Sequence, residues 1–150
     1  MRVVIQRVSE ASVTIDNQIV SSIGRGLLVL LGIGEEDTPA DTTWLVGKVC
    51  RLRIFGDNED KMNLSLAEIE GDVIVVSQFT LHALTRKGNR PSFIRSAKPE
   101  ISEPLYEDFC KAMESELGKP VGRGRFGADM KVALINDGPV TLVIDSKNRE

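Results

Sequence analysis

The stretch Leu27-Leu28-Val29-Leu30-Leu31-Gly32-Ile33 constrains the fold more than any other part of the chain. It is too uniformly apolar to face water on either side, and it is short enough to be a strand. We therefore expect a central strand that is covered on both faces. A second apolar run, Val73-Ile74-Val75-Val76, predicts another buried strand, and it ends in the polar residues Ser77-Gln78.

The first residues predict a small antiparallel unit. Residues 1–8 alternate well enough between apolar and polar side chains to form a strand. Residues 11–15 and 19–23 are also strand-like, and they flank Asp16-Asn17-Gln18, whose residue types favour a hairpin turn. The chain therefore begins with antiparallel strands before it reaches the central strand.

Two later regions predict further strand pairs. The pairs are residues 64–69 with 72–79, and residues 131–135 with 140–144. Glu70-Gly71 predicts a turn within the first pair, and Asn136-Asp137-Gly138-Pro139 connects the second. A hairpin turn is the simplest interpretation of the second connection. Because only ≈ 5–6% of X-Pro bonds in folded proteins are cis, the residues alone favour a trans Pro139.

Two helices complete the predicted elements. Thr38 has the character of an N-cap, Pro39 suits the first helical position, and Asp41 places an acid where the helix dipole favours it. The second helix is expected to begin at Ser102 and to end at Gly118, which can adopt the left-handed conformation of a C-terminal cap. Helices that follow strands in this way indicate a mixture of α and β structure.

The composition bounds the class of protein. A chain of 150 residues can bury a full core, so we expect a single domain over residues 1–150. Hydrophobic residues make up 41% and charged residues 27%, which excludes a disordered chain. Cys50 and Cys110 lie in helix-like stretches and predict free thiols in a reducing cytosol. No stretch approaches the ~20 apolar residues of a membrane span, so we expect a soluble, cytoplasmic protein.

Two short motifs match cofactor sites only in part. Gly56-Asp57-Asn58-Glu59-Asp60 offers oxygen ligands, but it lacks the spacing of an EF-hand and is interpreted as a surface turn. Gly122–Gly127 matches G-x-G-x-x-G, but a helix is predicted before it and a strand after it, the reverse of a dinucleotide-binding unit. We therefore expect neither a metal nor a cofactor. The second motif is interpreted as a flexible loop whose Arg123 and Arg125 can meet phosphate.

The charge is unevenly distributed. The segment from His82 to Lys98 carries a formal charge of +5, which leaves −8 for the remainder of a chain whose total is −3. Its basic residues are Arg86, Lys87, Arg90, Arg95 and Lys98. A local basic loop on an acidic body suits a partner with phosphates near one site better than a protein that coats long nucleic acid. A solvated, mobile loop is the alternative interpretation.

Ser77-Gln78-Phe79-Thr80-Leu81 is the first candidate for chemistry, because polar side chains stand where a buried strand ends. In an extended segment Gln78, Thr80 and His82 share one face, which suggests a Thr80–His82 dyad. However, His82 is the only histidine, and no third group is evident to orient it. Backbone N–H groups offer a second mechanism, because each donor to a developing oxyanion is worth about 2.7–4 kcal/mol. A polar strand end without a catalytic role is the third interpretation, and the residues alone leave all three open.

Five ordered motifs resemble those of the D-aminoacyl-tRNA deacylase family, nearly from end to end of the chain. They are Met1-Arg2 with Gln6-Arg7-Val8, Ser77-Gln78-Phe79-Thr80-Leu81, Lys87-Gly88-Asn89-Arg90-Pro91-Ser92-Phe93, Phe126-Gly127-Ala128-Asp129-Met130, and Asn136-Asp137-Gly138-Pro139-Val140-Thr141. With the predicted elements, the resemblance implies an α+β fold. We expect an antiparallel-rich mixed sheet curled into a partly closed β-barrel, with two main helices packed outside.

The resemblance implies hydrolysis of the ester that links a D-amino acid, or the achiral glycine, to the terminal adenosine of tRNA. It also implies a homodimer, in which Gly138-Pro139 of each subunit, in the cis form, completes the site of the other. The two carbonyls of that pair would face the substrate's α-carbon and leave no room for an L side chain. Steric exclusion of this kind fits a discrimination that ordinary pocket contacts, worth ~1–3 kcal/mol, would not reach.

The resemblance also implies roles for particular residues. Ser77, Gln78, Phe79 and Thr80 would line the ester, and main-chain donors and the ribose 2′-hydroxyl would contribute to catalysis. Thr80 has been regarded as a nucleophile in such proteins, but we favour an activated water. The implied substrate-binding residues are Gly138, Pro139, Arg7, Met130 and Asn136, of which Arg7 would brace the Gly-Pro turn and Met130 would lie by the terminal adenosine. The acceptor-stem phosphates would meet Arg86, Lys87, Arg90, Arg123 and Arg125.

Two other functions remain open on the sequence. The first is a non-catalytic dimer that binds RNA, which the basic loop would also suit. The second is an esterase for small molecules that uses Thr80 and His82. His82 lies outside the family motifs, so the resemblance implies no role for it.

Overall fold

The uniformly apolar stretch forms strand β3 (Gly26–Gly32) in the computed structural model, which describes residues 1–150. β3 pairs antiparallel with β1 (Arg2–Ile15) on one side and parallel with β6 (Asp72–Ser77) on the other. Leu27, Leu28, Val29 and Leu31 are almost completely buried. The prediction of a central, doubly covered strand is confirmed, and its neighbours explain why it has no charged side chain.

The remaining strands extend the sheet on both sides of β3. The strand order is β2 (Gln18–Ile23), β1, β3, β6 and β7 (Gly122–Arg123), and β8 (Lys131–Asp145) also pairs with β1. A separate small sheet consists of β4 (Phe55–Gly56) and β5 (Met62–Leu64). The mixed sheet is nearly closed into a barrel, and together with two helices it confirms the predicted α+β class.

The expected hairpin at Asn136–Pro139 is wrong. Residues 131–135 and 140–144 do not pair with each other, because both halves of β8 pair antiparallel with β1. β1 is 14 residues long and so supplies a ladder for both halves of β8. The register shifts where Gln6 pairs with Thr141 and Val8 pairs with Asn136, so residues 137–140 bulge from the ladder opposite Arg7. The Gly138-Pro139 peptide in this bulge is cis, as the family resemblance implied.

The strand predicted over residues 64–69 is also wrong. β5 ends at Leu64, and a turn follows. Its cause is local, since the Glu68 carboxylate accepts hydrogen bonds from the backbone N–H and the hydroxyl of Ser65, both at 2.7 Å. Side chains that bond to nearby backbone in this way compete with a strand ladder.

The two helices are α1 (Pro39–Arg51) and α2 (Pro99–Leu117). Thr38 is the N-cap of α1 and Gly118 the left-handed C-cap of α2, as predicted. α2 begins three residues before the predicted Ser102, because Pro99 is well suited to the first helical turn. The helices pack against one another and share a core cluster with β1 and β3. Neither helix is both long enough and apolar enough to cross a membrane.

Asp41 joins the start of α1 to the end of β8. Its carboxylate accepts hydrogen bonds from the Thr38 backbone N–H at 2.9 Å, the Ser146 hydroxyl at 2.7 Å and the Lys147 ammonium at 2.8 Å. Burial alone would raise the pKa of Asp41, but the hydrogen bonds from Lys147, Ser146 and Thr38 outweigh it and hold the pKa well below the usual range. The carboxylate therefore stays charged and fully paired.

Replacement of Asp41 is expected to destabilise the fold. Asp41→Ala leaves the donors of Thr38, Ser146 and Lys147 without their acceptor and should lower the free energy of unfolding by roughly 2–4 kcal/mol, as measured by urea denaturation. Asp108→Ala is a matched control, because Asp108 is an exposed aspartate on α2. Equal effects of the two substitutions would contradict the role of the Asp41 network.

Candidate active site

The segment after β6 folds into a 3₁₀ turn over Phe79–His82. The Gln78 N–H donates to the Leu31 carbonyl at 2.8 Å, and the first hydrogen bond of the turn runs from the Leu81 N–H to the Gln78 carbonyl at 3.3 Å. The prediction of an extended segment from residue 77 to 82 is therefore wrong, because the chain bends as soon as the ladder with β3 ends. The N–H groups of Phe79 and Thr80 precede the first bond of the turn and have no partner within it.

A cavity of about 520 Å³ lies beside this turn. Ser77, Gln78, Phe79 and Met130 all line it, so the structure brings together predicted residues that are more than 50 positions apart. The other lining residues are Leu31, Ile33, Val76, Phe93, Ser96, Ala97, Pro99, Ser102, Phe126, Gly127, Ala128 and Val132. None of the lining side chains is ionisable, so the cavity suits an uncharged, largely apolar group.

Several lining residues escaped the sequence analysis. Ser96, Ala97 and Pro99 reach the cavity because the Ala97 N–H donates to the Ile33 carbonyl at 2.9 Å and Ser96 forms an isolated bridge with Gly34. Such long-range contacts leave no periodic pattern in the sequence. No local signal could have identified these three residues.

The side chains of the turn are also fixed. The Gln78 amide donates a short hydrogen bond to the Thr80 hydroxyl. The Phe79 side chain is 57% exposed, and its ring meets the Phe93 ring edge-on with 5.1 Å between the ring centres. Thr80 itself is not among the residues that line the cavity. The Thr80 hydroxyl thus accepts a hydrogen bond from Gln78 and does not form part of the cavity surface.

His82 faces away from this cavity. Its ring lies against the backbone of Gly32 and Gly34, and its buried Nε2 has no hydrogen-bond partner in the protein. Burial is the main cause that lowers the pKa of His82, and Arg2 and the N-terminal ammonium lower it further. The imidazole is therefore neutral at neutral pH. No hydrogen bond joins it to Thr80, so the structure does not contain the dyad that the sequence suggested.

The Gly138-Pro139 pair lies in a second depression, of about 490 Å³, with Arg7 and Arg25. The Arg7 guanidinium donates to the Asp137 carbonyl at 3.0 Å and to the Ile54 carbonyl at 2.6 Å. Gly138 has φ +131°, and a Cβ there would lie 2.9 Å from Arg7 Nη2 and from the Val140 side chain. Only glycine fits this position, and Arg7 holds the bulge that contains it.

Asn136 closes the same bulge. Its side-chain oxygen accepts a hydrogen bond from the Val140 N–H at 3.1 Å, and its amide donates to the Thr141 hydroxyl at 2.9 Å. The side chain thus bonds to the residues that follow Gly138-Pro139. These hydrogen bonds of Asn136 therefore stabilise the conformation of the bulge.

The two predicted stretches do not meet within one chain. Leu27 pairs with Arg7 and with Val73, whereas Leu31 pairs with Ser77. The Gly138-Pro139 bulge, opposite Arg7, is therefore four residues, or roughly 13 Å, away from Ser77 along the strands, and about 14 Å away across three strand spacings. The two depressions share no lining residue.

The basic residues fall into two groups. Arg86, Lys87 and Arg90 are exposed in a loop whose ends are joined by the mutual backbone hydrogen bonds of Leu84 and Ser92, at 2.7 and 3.0 Å. Arg125 is also exposed, on the segment that lines the cavity at Phe126–Ala128. These side chains make no ion pair and are free to bind phosphate.

Arg123 differs from the other predicted phosphate ligands. Its guanidinium is bound by the carboxylates of Glu107 at 2.6 Å and Glu114 at 3.0 Å, both on α2. The charge of Arg123 is thus already compensated within the fold. The motif around it forms β7 and a turn, without the helix that a dinucleotide-binding glycine motif requires.

Comparison with known proteins identifies the family. A family model described as D-Tyr-tRNA(Tyr) deacylase matches residues 4–145. A D-aminoacyl-tRNA deacylase of Flavobacterium johnsoniae is 61% identical over 150 residues, which is the full length of both chains. The chain is thus similar to a protein of this class throughout its length.

Two solved structures agree with this result. One, described as "c-Myc DNA Unwinding Element Binding Protein", has a TM-score of 0.91 and 38% identity, over 97% of this chain and 98% of its own. The other, described as a probable eukaryotic D-amino acid tRNA deacylase, has a TM-score of 0.82 over 95% and 97% of the two chains, and at 22% identity it shows the fold alone. The protein belongs to the D-Tyr-tRNA(Tyr) deacylase family.

Proposed function

We propose that the protein hydrolyses the ester between a D-amino acid, or glycine, and the terminal adenosine of tRNA, and that it rejects L-aminoacyl-tRNA. The observation that carries this proposal is the uncharged cavity lined by Ser77, Gln78 and Phe79, next to a turn within which the N–H groups of Phe79 and Thr80 have no partner. Such a site binds an apolar ring and stabilises a developing negative charge, which are the two requirements of ester cleavage at a nucleoside.

The cavity is where we place the terminal adenosine. Its volume of about 520 Å³ is within the range of small-ligand pockets. Phe79, Phe93 and Met130 offer flat or flexible apolar surfaces against which a base can stack. With the base there, the ester of the ribose would lie near Ser77–Thr80.

Main-chain groups would carry out the chemistry. In the tetrahedral intermediate the carbonyl oxygen becomes negative, and the N–H groups of Phe79 and Thr80 would donate to it. Water is the nucleophile in this scheme, with the ribose 2′-hydroxyl assisting, because the Thr80 hydroxyl is bound by Gln78 and has no base beside it. Ser77 and Gln78 would complete the wall around the ester.

A second copy of the chain would discriminate between the D- and L-aminoacyl substrates. The Gly138-Pro139 bulge is remote from the cavity of its own chain, yet it is braced by Arg7 and Asn136 as a rigid element. We propose that the protein is a homodimer in which this bulge enters the partner's site, with its carbonyls against the substrate's α-carbon. An L side chain would clash with that wall, whereas a hydrogen atom or a D substituent would not.

The tRNA body would be held by the exposed cations. Arg86, Lys87, Arg90 and Arg125 are the residues we assign to acceptor-stem phosphates, since their charges are uncompensated. The paired Arg123 is better suited to fastening β7 to α2. We place the protein, as one domain over residues 1–150, in the cytoplasm, where charged tRNA is found.

One rival function has a specific observation in its favour. The 38% identical structure is described as a DNA-binding protein, which fits a dimer that binds nucleic acid without turnover. The small-molecule esterase lacks such support, because His82 is buried and not bonded to Thr80. These functions can be separated in one assay.

The direct test offers the protein D-tyrosyl-tRNA, L-tyrosyl-tRNA and a simple aryl ester. We expect loss of the D-ester alone, followed as release of labelled amino acid. Binding without turnover would support the nucleic-acid-binding rival. Cleavage of the aryl ester that is abolished by His82→Ala would support the esterase.

Substitution of Thr80 tests the nucleophile. Because water attacks in the proposed scheme, Thr80→Ala should keep kcat/KM for D-tyrosyl-tRNA within about tenfold of wild type, whereas loss of a true nucleophile costs 10⁴ or more. Steady-state deacylation measures the effect. A covalent adduct on Thr80, trapped by acid quench and detected by mass spectrometry, would overturn the water mechanism.

Mixing two variants tests the shared site. Ser77→Trp should fill the cavity, and Gly138→Val should distort the bulge, since its Cβ has no room. Each variant alone should be inactive on D-tyrosyl-tRNA. Joint refolding at equal concentrations should restore about a quarter of wild-type activity, because half of the dimers then carry one intact site.

The mixing experiment has a matched control. Gly24→Val places the same side chain where a Cβ meets no atom within 4 Å, and it should remain active. If mixing restores no activity although the variants form mixed dimers, each chain builds its own site, and the shared arrangement is wrong.

A further inference from the structure

The Ser96 hydroxyl donates a hydrogen bond to the Phe79 carbonyl at 2.8 Å. That carbonyl and the Thr80 N–H belong to one trans peptide unit, so they are coplanar and point in opposite directions. A donor that holds the carbonyl therefore also fixes the direction of the N–H. The same bond polarises the peptide unit, which makes the N–H a stronger donor.

Ser96 is itself held firmly. Its backbone N–H donates to the Phe93 carbonyl at 2.9 Å, and the next residue, Ala97, donates to the Ile33 carbonyl at 2.9 Å. An isolated bridge also pairs Ser96 with Gly34. These contacts attach the hydroxyl to the residues that follow β3, so it provides a fixed reference for the turn.

The far end of the turn is restrained independently. Arg2 donates to the Leu81 carbonyl at 3.0 Å, while its Nε is bound by Asp145 at 2.7 Å. The turn is thus anchored at Leu81 by β1 and β8, and at Phe79 by Ser96. Inside the turn the Phe79–Thr80 peptide is held only by the i+3 bonding of the 3₁₀ helix, so Ser96 is the restraint on this unit from outside the turn, whereas Arg2 acts two residues further on.

We infer that Ser96 is a positioning residue for the deacylation reaction, which aims the Thr80 N–H at the developing oxyanion by holding the Phe79 carbonyl. The inference rests on the proposed function. Ser96 makes this contribution through the peptide unit and without reacting itself. Loss of the hydroxyl should therefore impair the transition state more than the binding of tRNA.

The experiment measures steady-state kinetics of Ser96→Ala and Ser96→Thr with D-tyrosyl-tRNA, beside thermal unfolding of each variant. We expect Ser96→Ala to lower kcat roughly tenfold while KM stays within about twofold, since the interaction operates only in the transition state. Ser96→Thr keeps the hydroxyl and should recover most of the activity. Ser115→Ala, an exposed serine on α2, should match wild type.

Three results would overturn the inference. They are a kcat of Ser96→Ala within about twofold of wild type, a raised KM with unchanged kcat, which indicates ground-state binding, and a folded Ser96→Thr that is as slow as Ser96→Ala. If the wild-type protein does not hydrolyse D-tyrosyl-tRNA, the proposed function is wrong, and this inference is wrong with it. An active wild type with a fully active Ser96→Ala would overturn the inference alone.

Discussion

The antiparallel pairing of β1 with β3 is the contact on which the rest of the structure depends. It runs from Arg2 opposite Gly32 to Val8 opposite Gly26, and it sets the register of the strands that pair with β1 or β3. β6 takes its register from β3, so the end of this ladder decides where Ser77 emerges. β8 takes its register from β1, so the other end decides where Gly138-Pro139 bulges. A slip of one residue would turn both features to the wrong face of the sheet.

This geometry separates the two walls of the proposed site. Ser77 and the Gly138-Pro139 bulge lie toward opposite ends of the ladder, and a rigid sheet cannot bring them together. If both contact one substrate, as we propose, a second chain has to supply one of them. A symmetric dimer does so with no additional element, because the same two surfaces meet twice. The braces of Arg7 and Asn136 fit such a role, since a wall that excludes by shape must not yield.

The sequence predicted the elements that are governed by local chemistry. The doubly covered β3, the N-cap at Thr38 and the C-cap at Gly118 all follow from residue type and spacing. The errors arose where tertiary contacts decide. Ser65 and Glu68 replaced a strand with a turn, and the length of β1 converted an expected hairpin into one continuous strand.

The residues of the candidate site also fall into those that local sequence predicts and those that only tertiary contacts reveal. Ser77 to Thr80 were predicted from the polar end of an apolar strand, and the role that we propose for Gly138-Pro139 came from family resemblance. The role that we infer for Ser96 depends on a hydrogen bond across 17 positions, for which the sequence contains no signal. Long-range contacts of this kind can be seen only once the sheet register is known.

The chain keeps its reactive side chains out of the site. Burial raises the pKa of Cys50 to about 12 and that of Cys110 to about 11, so neither thiol is a nucleophile at neutral pH. His82 is neutral, buried and turned away, and none of the side chains around the cavity is ionisable. What remains is a set of peptide dipoles whose directions are set by the fold. An aminoacyl ester is already reactive toward water, so such a site need only hold it and stabilise its oxyanion. Selectivity can then rest on shape, because no strong nucleophile is present to attack an L-ester that enters briefly.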